Sequence, residues 1–228
     1  MPEHTIKAFD EEINRLRGLV AEMGGRVETA LEDAMAALVE HDNDKARRVV
    51  SEDRKIDLLE AEVEKLVVQI IALRAPMAND LRDVIAALKI VGVVERIGDY
   101  AKNIAKRVPQ LGAHPTIEPL SLLPAMAQVA GEMVGDALNA FAARDAALAE
   151  AVVARDHVVD SFYNGIFRAL LTYMVENPKT ISECAHLLFI AKNIERIGDH
   201  ATNMAEMVYY AATGDYLPER GRDTGIES

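Results

Sequence analysis

The chain contains acidic pairs at a spacing of four residues, and the same pairs occur twice. The pentapeptide ERIGD stands at 95–99 and again at 195–199, and its first and last residues form one such pair. A pair of aspartates precedes each ERIGD. Residues four apart lie on the same face of an α-helix, so each pair would place two carboxylates side by side. The eight acids are Asp53, Asp57, Glu95 and Asp99, followed by Asp156, Asp160, Glu195 and Asp199.

Like charges at this spacing destabilise a helix, and two acidic helices packed side by side would repel each other unless a cation lay between them. For one isolated pair, the solvated face of an acidic protein is the better interpretation. The recurrence of both pairs in both repeats makes a solvated face a weaker interpretation. Gly98 and Gly198 weaken it further, because an interior helical glycine costs about 1 kcal/mol relative to alanine, and a cost that occurs twice suggests a use. The missing side chain would let a neighbouring helix or an ion approach the carboxylates. The residues alone therefore favour metal binding.

Carboxylate oxygens suit hard and borderline cations, so Mg, Mn, Ca or Fe would fit, and Zn is compatible. The chain has one cysteine, Cys184, which excludes a thiolate site. A second rank of candidate ligands lies on or near the same helical faces. These residues are Asp83, Glu183, Asn103 and Asn203.

Other polar residues near the acids have simpler interpretations. We expect Arg96 and Arg196 to neutralise the carboxylates rather than to bind phosphate. His200 stands where the first repeat has Tyr100, so we interpret it as a residue of the helix surface and not as a ligand common to both sites.

The elements that must position these residues are helices. Apolar residues recur every three or four positions almost throughout the chain. Capping residues at 42–44 end a first long helix, a break at 74–76 ends a second, and a third runs to about Val108. Residues 109–119 include three prolines and predict a linker. The pattern then restarts.

Because the second half repeats the first at an offset of 100 to 103 residues, we predict an all-α fold of two tandem, pseudo-symmetric three-helix bundles. The first bundle would span 1–108, and the second would span 120–213 after the linker at 109–119. We expect the tail at 214–228 to be mobile because it has few apolar residues.

A helical wheel places the two acids of each ERIGD opposite the apolar stripe of their helix. It places the aspartate pairs beside the apolar stripe of the preceding helix. We therefore expect outward-facing sites rather than a site in the core. The first repeat continues its acidic stripe through Glu60 and Glu64, where the second has Tyr163 and Phe167, so the two sites need not be equivalent.

Composition excludes several classes of protein. The 228 residues include 25 Lys and Arg against 37 Asp and Glu, a net charge of −12, which disfavours nucleic acid as a partner. No run approaches the roughly 20 apolar residues that span a bilayer, and the first residues predict no signal peptide. A single cysteine excludes an internal disulfide and favours the cytoplasm. We find no P-loop, no dinucleotide glycine pattern and no nucleophile with a base, so we expect no enzymatic activity.

At the ERIGD segments the chain resembles the PhoU family, the phosphate-uptake regulators of bacteria. The segments VERIGDYAKNIAK and FIAKNIERIGDHATNMAE carry the resemblance, together with the aspartate pairs that begin at Asp53 and Asp156. It covers residues 5–212. It implies two three-helix bundles with surface multinuclear clusters of Fe, Mn, Mg or Zn. By position, one cluster would be held by Asp53, Asp57, Glu95 and Asp99, and the other by Asp156, Asp160, Glu195 and Asp199.

The resemblance also implies a function. Such a protein would repress the phosphate-starvation response and phosphate uptake by contacting the sensor histidine kinase and the ATPase of the phosphate ABC transporter. It would be a homodimer in the cytoplasm, peripheral at the inner membrane only through its partners.

Two alternatives stay open. A ferritin-like di-iron carboxylate protein needs inward acids and an ExxH motif from each of two helices, whereas this chain offers only Glu183 with His186. A metal-free helical adaptor would use its acidic faces to dock basic partners.

Overall fold

The structure is a computed structural model that describes residues 3–111 and 117–217, with side chains from residue 8 onward except at 118 and 119. Within these ranges it contains six long α-helices and no strand. None of the six combines the length and the hydropathy needed to cross a bilayer. The helices are α1 (Glu3–Glu40), α2 (Asn43–Arg74), α3 (Asn79–Ala105), α4 (Leu123–Ala143), α5 (Ala146–Glu176) and α6 (Ile181–Thr213).

The same tight turn joins α1 to α2 and α4 to α5. In the first, His41 adopts a left-handed conformation (φ 55°), and the Asp42 carboxylate then accepts hydrogen bonds from the first backbone N–H groups of α2. In the second, Arg144 is left-handed (φ 54°) and Asp145 caps α5. An aspartate at this position satisfies N–H groups that have no partner inside the helix. The internal repeat therefore extends to the turns.

Helices α1, α2 and α3 pack on one another, and α4, α5 and α6 do the same. The two bundles meet mainly through α3 and α6, the two helices that contain ERIGD, with α1 against α4 beside them. Buried apolar side chains form one continuous core across both bundles. The predicted fold of two tandem three-helix bundles is confirmed.

The predicted linker and tail are described only in part. The linker begins in a short 3₁₀ turn at Val108–Gln110, and Leu111 and Ile117 are both buried. Residues 112–116 lie outside the described part. In the predicted mobile tail, Tyr216 stacks on Tyr210 with ring centroids 4.7 Å apart. The rest of the tail, residues 218–228, also lies outside the described part.

Candidate metal centres

The first group of acids lies where α2 and α3 pack side by side, and we call it cluster 1 (Asp53, Asp57, Glu60, Glu95 and Asp99). Asp53 is only 8 % exposed, whereas the sequence predicted a position beside the buried stripe. The physical reason is Lys102 of α3, whose Nζ lies 2.5 Å from Asp53 Oδ2 and also forms an ion pair with Asp99. A lysine thus provides the cation between the two helices.

Lys102 remains charged in this position. Its burial lowers the pKa, but the hydrogen bonds that it donates to Asp53 and Asp99, together with their negative charges, outweigh that effect and raise the pKa. A charge-assisted hydrogen bond of this kind is stronger than one between neutral groups. One ammonium group is therefore shared by two of the five acids of cluster 1 and offsets one unit of their negative charge.

The remaining acids of cluster 1 are less well compensated. Loss of hydration raises the pKa of Glu95 to about 7, and repulsion from Asp99, Glu60 and Asp57 adds to the shift. Burial likewise raises the pKa of Glu60. Near neutral pH, Glu95 is therefore close to its own pKa and would gain from a further positive charge. The cluster has the electrostatic character of a cation site.

The second group of acids lies between α5 and α6, and we call it cluster 2 (Asp156, Asp160, Glu195 and Asp199). Lys192 Nζ lies 2.5 Å from Glu195 Oε1, while Glu195 Oε2 is buried without a hydrogen-bond partner. Loss of hydration raises the pKa of Asp199 to about 6, followed by repulsion from Glu195 and Asp156. This cluster, too, carries more negative charge than its lysine offsets.

The two lysines occupy different positions of the repeat. The residue equivalent to Lys102 is Thr202, whose buried hydroxyl has no hydrogen-bond partner, and the residue equivalent to Lys192 is Gly92. In cluster 2 the Lys192 ammonium lies 5.2 Å from the ring centre of Tyr163, which stands where cluster 1 has Glu60. The two clusters therefore differ in how their charge is balanced.

As the side chains are placed, no three Asp, Glu, His or Cys side chains among the described residues are close enough together to hold a metal ion. In cluster 1 the Lys102 ammonium occupies the space between two of the carboxylates. The donor set nevertheless consists of carboxylate oxygens, which suit a hard cation, and the pKa values of Glu95 and Asp199 are raised. The residues fit such an ion chemically, and binding in cluster 1 would require Lys102 to withdraw. The metal ligands stay a prediction.

Gly98 and Gly198 allow helices to approach each other, not ions. A Cβ on Gly98 would lie 3.0 Å from Ile56 Cδ1 of α2, and one on Gly198 would lie 3.2 Å from Val159 Cγ1 of α5. Both glycines are buried on the core side. Of the two uses predicted for the missing side chain, helix approach is correct and ion approach is wrong. The close approach brings the carboxylates of adjacent helices together.

Among the described residues, no hydrogen bond or ion pair joins the second-rank candidates to a cluster acid. Asp83 forms ion pairs with Arg144 at 3.0 Å and Arg17 at 3.4 Å, and so ties α3 to the turn after α4 and to α1. Asn203 lines a cavity between α3 and α6. Glu183 and Asn103 are half-buried, and in the part of the chain that is described neither forms a hydrogen bond or ion pair with a cluster acid.

The lysines form the ion pairs with the cluster acids, and of the neutralising role predicted for the arginines the structure shows only that the charge of Arg96 lowers the pKa of Glu60. Arg96 and Arg196 are exposed and form no ion pair within residues 8–111 and 117–217. The sequence signal that could have identified the lysines is their spacing, three residues from an acid of the ERIGD pair on the same helix.

The sequence predicted His200 to be a residue of the helix surface, and this is wrong. It is half-buried and faces Tyr100, its equivalent in the first repeat, with 3.4 Å between the hydroxyl and Nε2. Burial lowers the pKa of His200, and the positive charges of Arg96 and Arg196 lower it further. The equivalent positions meet because α3 and α6 pack across the pseudo-symmetry axis.

Comparison with known proteins matches both repeats to one family. The model of the PhoU domain matches residues 20–108 and 123–208. A phosphate-specific transport system accessory protein PhoU homolog from Zymomonas mobilis is 55 % identical over 96 % of this chain and 92 % of its own length. A homolog from Caulobacter vibrioides is 46 % identical over 95 % of both chains.

Solved structures agree with this match. The crystal structure of PhoU from Pseudomonas aeruginosa has a TM-score of 0.86 and 38 % identity, covering 91 % of this chain and all of that one. PhoU from Streptococcus pneumoniae, a phosphate transport system regulatory protein, also has a TM-score of 0.86 at 27 % identity, covering 92 % of this chain and all of its own.

Proposed function

The chain belongs to the PhoU family, and on that premise we propose that it represses phosphate uptake and the phosphate-starvation response. The observation that carries this proposal is the match of both repeats, over nearly the whole chain, to accessory proteins of the phosphate-specific transport system.

We propose that the protein acts by binding other proteins and not by catalysis. Its partners would be the sensor histidine kinase and the ATPase of the phosphate ABC transporter. Exposed apolar side chains support a role in binding: Phe167, Leu171 and Val175 follow one another at four-residue spacing along α5, and Val175 is 81 % exposed. Such a stripe, with the long helices beside it, offers enough surface for an interface of roughly 800 Å² per partner or for a homodimer.

We further propose that clusters 1 and 2 bind metal ions of the hard or borderline class, Fe, Mn, Mg or Zn. The ligands would be Asp53, Asp57, Glu95 and Asp99 in cluster 1, and Asp156, Asp160, Glu195 and Asp199 in cluster 2. Bound metal would supply positive charge that links α2 to α3 and α5 to α6. The raised pKa values of Glu95 and Asp199 support this proposal, because a bound cation would offset both the loss of hydration and the repulsion from neighbouring carboxylates that raise them.

A metal-free adaptor is the second candidate, and the lysines favour it. Lys102 and Lys192 already place a cation at each cluster. Metal analysis of protein purified without chelator separates the two candidates. Metal retained at a fixed ratio to the chain supports the clusters, whereas protein without metal supports the adaptor.

The regulatory proposal is tested by deleting the gene in phosphate-rich medium and measuring expression from a phosphate-starvation promoter. Expression should rise, and the wild-type gene supplied in trans should restore repression. In parallel, the purified protein should bind the cytoplasmic part of the sensor kinase. Normal repression in the deletion strain, with no contact to kinase or transporter, would contradict the proposal. A change in iron or oxidant handling alone would instead support the ferritin-like alternative.

A further inference from the structure

A groove of about 680 Å³ runs between α1 and α4 on the surface of the molecule. Its floor is apolar and comes from both bundles, since Leu31 and Met35 of α1 face Ala127 of α4. All three are buried apolar residues of the core. A floor of this kind can hold apolar side chains of a binding partner.

The α4 side of the groove is shallow because small residues follow one another at four-residue spacing. Ala127, Gly131 and Gly135 all line it. Leu31 Cδ2 lies 3.6 Å from the position of a Cβ on Gly131, and Glu28 Oε1 lies 2.8 Å from that position on Gly135. Side chains of α1 therefore contact the α4 backbone at Gly131 and Gly135.

Carboxylates form both rims. On the α4 rim, Glu132 and Asp136 share an ion pair with Arg155 of α5, at 2.6 and 2.7 Å, which offsets one of their two negative charges. On the α1 rim, Glu28 and Glu32 form no ion pair within the described ranges. Burial raises the pKa of Glu28, and the charge of Glu32 raises it further. The α1 rim thus carries uncompensated negative charge directly above an apolar floor.

We propose that this groove binds an amphipathic helix of a partner protein, with small apolar side chains on one face and Lys or Arg along its flank. A helix in a groove buries its apolar face on the floor, and the carboxylates of the rims attract the positive charges along its flank. The basic flank would lie along Glu28 and Glu32, where the negative charge is uncompensated. The net charge of −12 would speed the approach of a basic partner and repel an acidic one. This proposal rests on the proposed function and adds to it the chemistry of a binding partner. The groove residues belong to neither cluster 1 nor cluster 2.

The test uses a fluorescein-labelled synthetic peptide of about 18 residues, helical, with Ala and Leu on one face and Lys and Arg on the adjoining flank. Its binding to the full chain is followed by fluorescence anisotropy at about 150 mM salt, where nonspecific attraction between exposed charges is screened. The double variant Glu28→Gln with Glu32→Gln should weaken binding about tenfold or more, which corresponds to about 1.4 kcal/mol. Amide exchange should slow at 28–35 and 124–139 when the peptide is bound.

The matched control is Asp10→Asn with Glu11→Gln, which removes the same charge from an exposed part of α1 about 25 Å along the helix from the groove. This control should change the affinity less than about twofold. Equal weakening by both double variants would show that charge alone attracts the peptide and would overturn the proposal. The absence of peptide binding would also overturn it. A wild-type dimer that becomes monomeric only in the groove variant would overturn it too, because the occupant of the groove would then be a second copy of the chain. Repression measured in the deletion strain is a separate readout, so failure of the groove and failure of the regulatory proposal are distinguishable.

Discussion

Lys102 of α3 donates a hydrogen bond to the buried carboxylate of Asp53 on α2, with 2.5 Å between Nζ and Oδ2. The same ammonium group pairs with Asp99 one turn earlier on its own helix. One side chain therefore joins the aspartate pair of α2 to the ERIGD pair of α3. The equivalent residue of the second repeat, Thr202, has no charge, and in cluster 2 the ion pair is formed instead by Lys192 at a different position of the repeat.

Replacing Lys102 with Met should destabilise the metal-free protein, because it leaves Asp53 buried without its partner. Breaking a buried ion pair in this way costs about 3 kcal/mol. The same change removes a competitor of metal ions from cluster 1, so it should also raise the affinity of that cluster for divalent cations. Urea unfolding with chelator and titration calorimetry with Mn²⁺ measure the two effects.

Lys192→Met is the matched control, since Lys192 forms an ion pair with one acid, Glu195, among the described residues and is more exposed than Lys102. Its stability loss should be smaller, about 1 kcal/mol. If Lys102→Met left both stability and metal affinity unchanged, the ion pair would not be the link between α2 and α3.

Stability of the chelator-treated protein should fall as the pH rises from about 4.5 to about 7.5. The pKa of Glu95 is raised to about 7 in the folded chain, so its contribution is complete below the unfolded value of 4.5 and is lost as the pH rises through 7. Glu95→Gln should therefore be more stable than wild type by about 1–3 kcal/mol at pH 8 and nearly equal at pH 4.5.

Urea unfolding at several pH values measures this dependence. Glu150→Gln, at an exposed acid of α5, should leave the pH dependence as it is in the wild type. A Glu95→Gln variant with an unchanged profile would show that the carboxyl is not crowded by its neighbours in solution.

Gly98→Leu should lower stability by about 1–3 kcal/mol, because the new side chain would be forced against Ile56 and Val27 in the core. Any loss of metal should follow this loss of helix packing. Gly165→Ala is the control, since open space surrounds that glycine, and it should raise stability by about 0.5–1 kcal/mol. Thermal unfolding followed by circular dichroism compares the two, and a Gly98→Leu variant as stable as wild type would contradict the close packing of α2 on α3.

The two clusters should bind metal independently, because they lie in separate bundles. Replacing Glu95 and Asp99 with Ala should remove metal from cluster 1 only, and replacing Glu195 and Asp199 should remove it from cluster 2 only. Cluster 2 should bind more tightly, because cluster 1 must first displace Lys102 from two carboxylates. Elemental analysis of both double variants measures this. Metal content unchanged in either variant would show that its acids are not ligands.

The fold could be predicted because its signals are local and doubled. Apolar spacing identifies each helix, and the capping aspartates Asp42 and Asp145 mark the same turn in both repeats. The recurrence of ERIGD fixes the alignment of the repeats. Spacing along one helix also shows which acids share a face, so the acidic pair of each helix follows from the sequence.

What the sequence determined, then, is the set of helices and the acids that lie on a common face, since both depend on residues a few positions apart. The repeat at an offset of about 100 residues determined the division into two similar bundles. Only the tertiary structure decided which charges meet across helices. Asp53 lies 49 residues from Lys102, and Asp83 lies 61 residues from Arg144, and both carboxylates are paired because distant helices pack there. Whether Gly98 accommodates an ion or Ile56 was likewise decided by the neighbouring helix, because the pattern of one helix does not specify what packs against it.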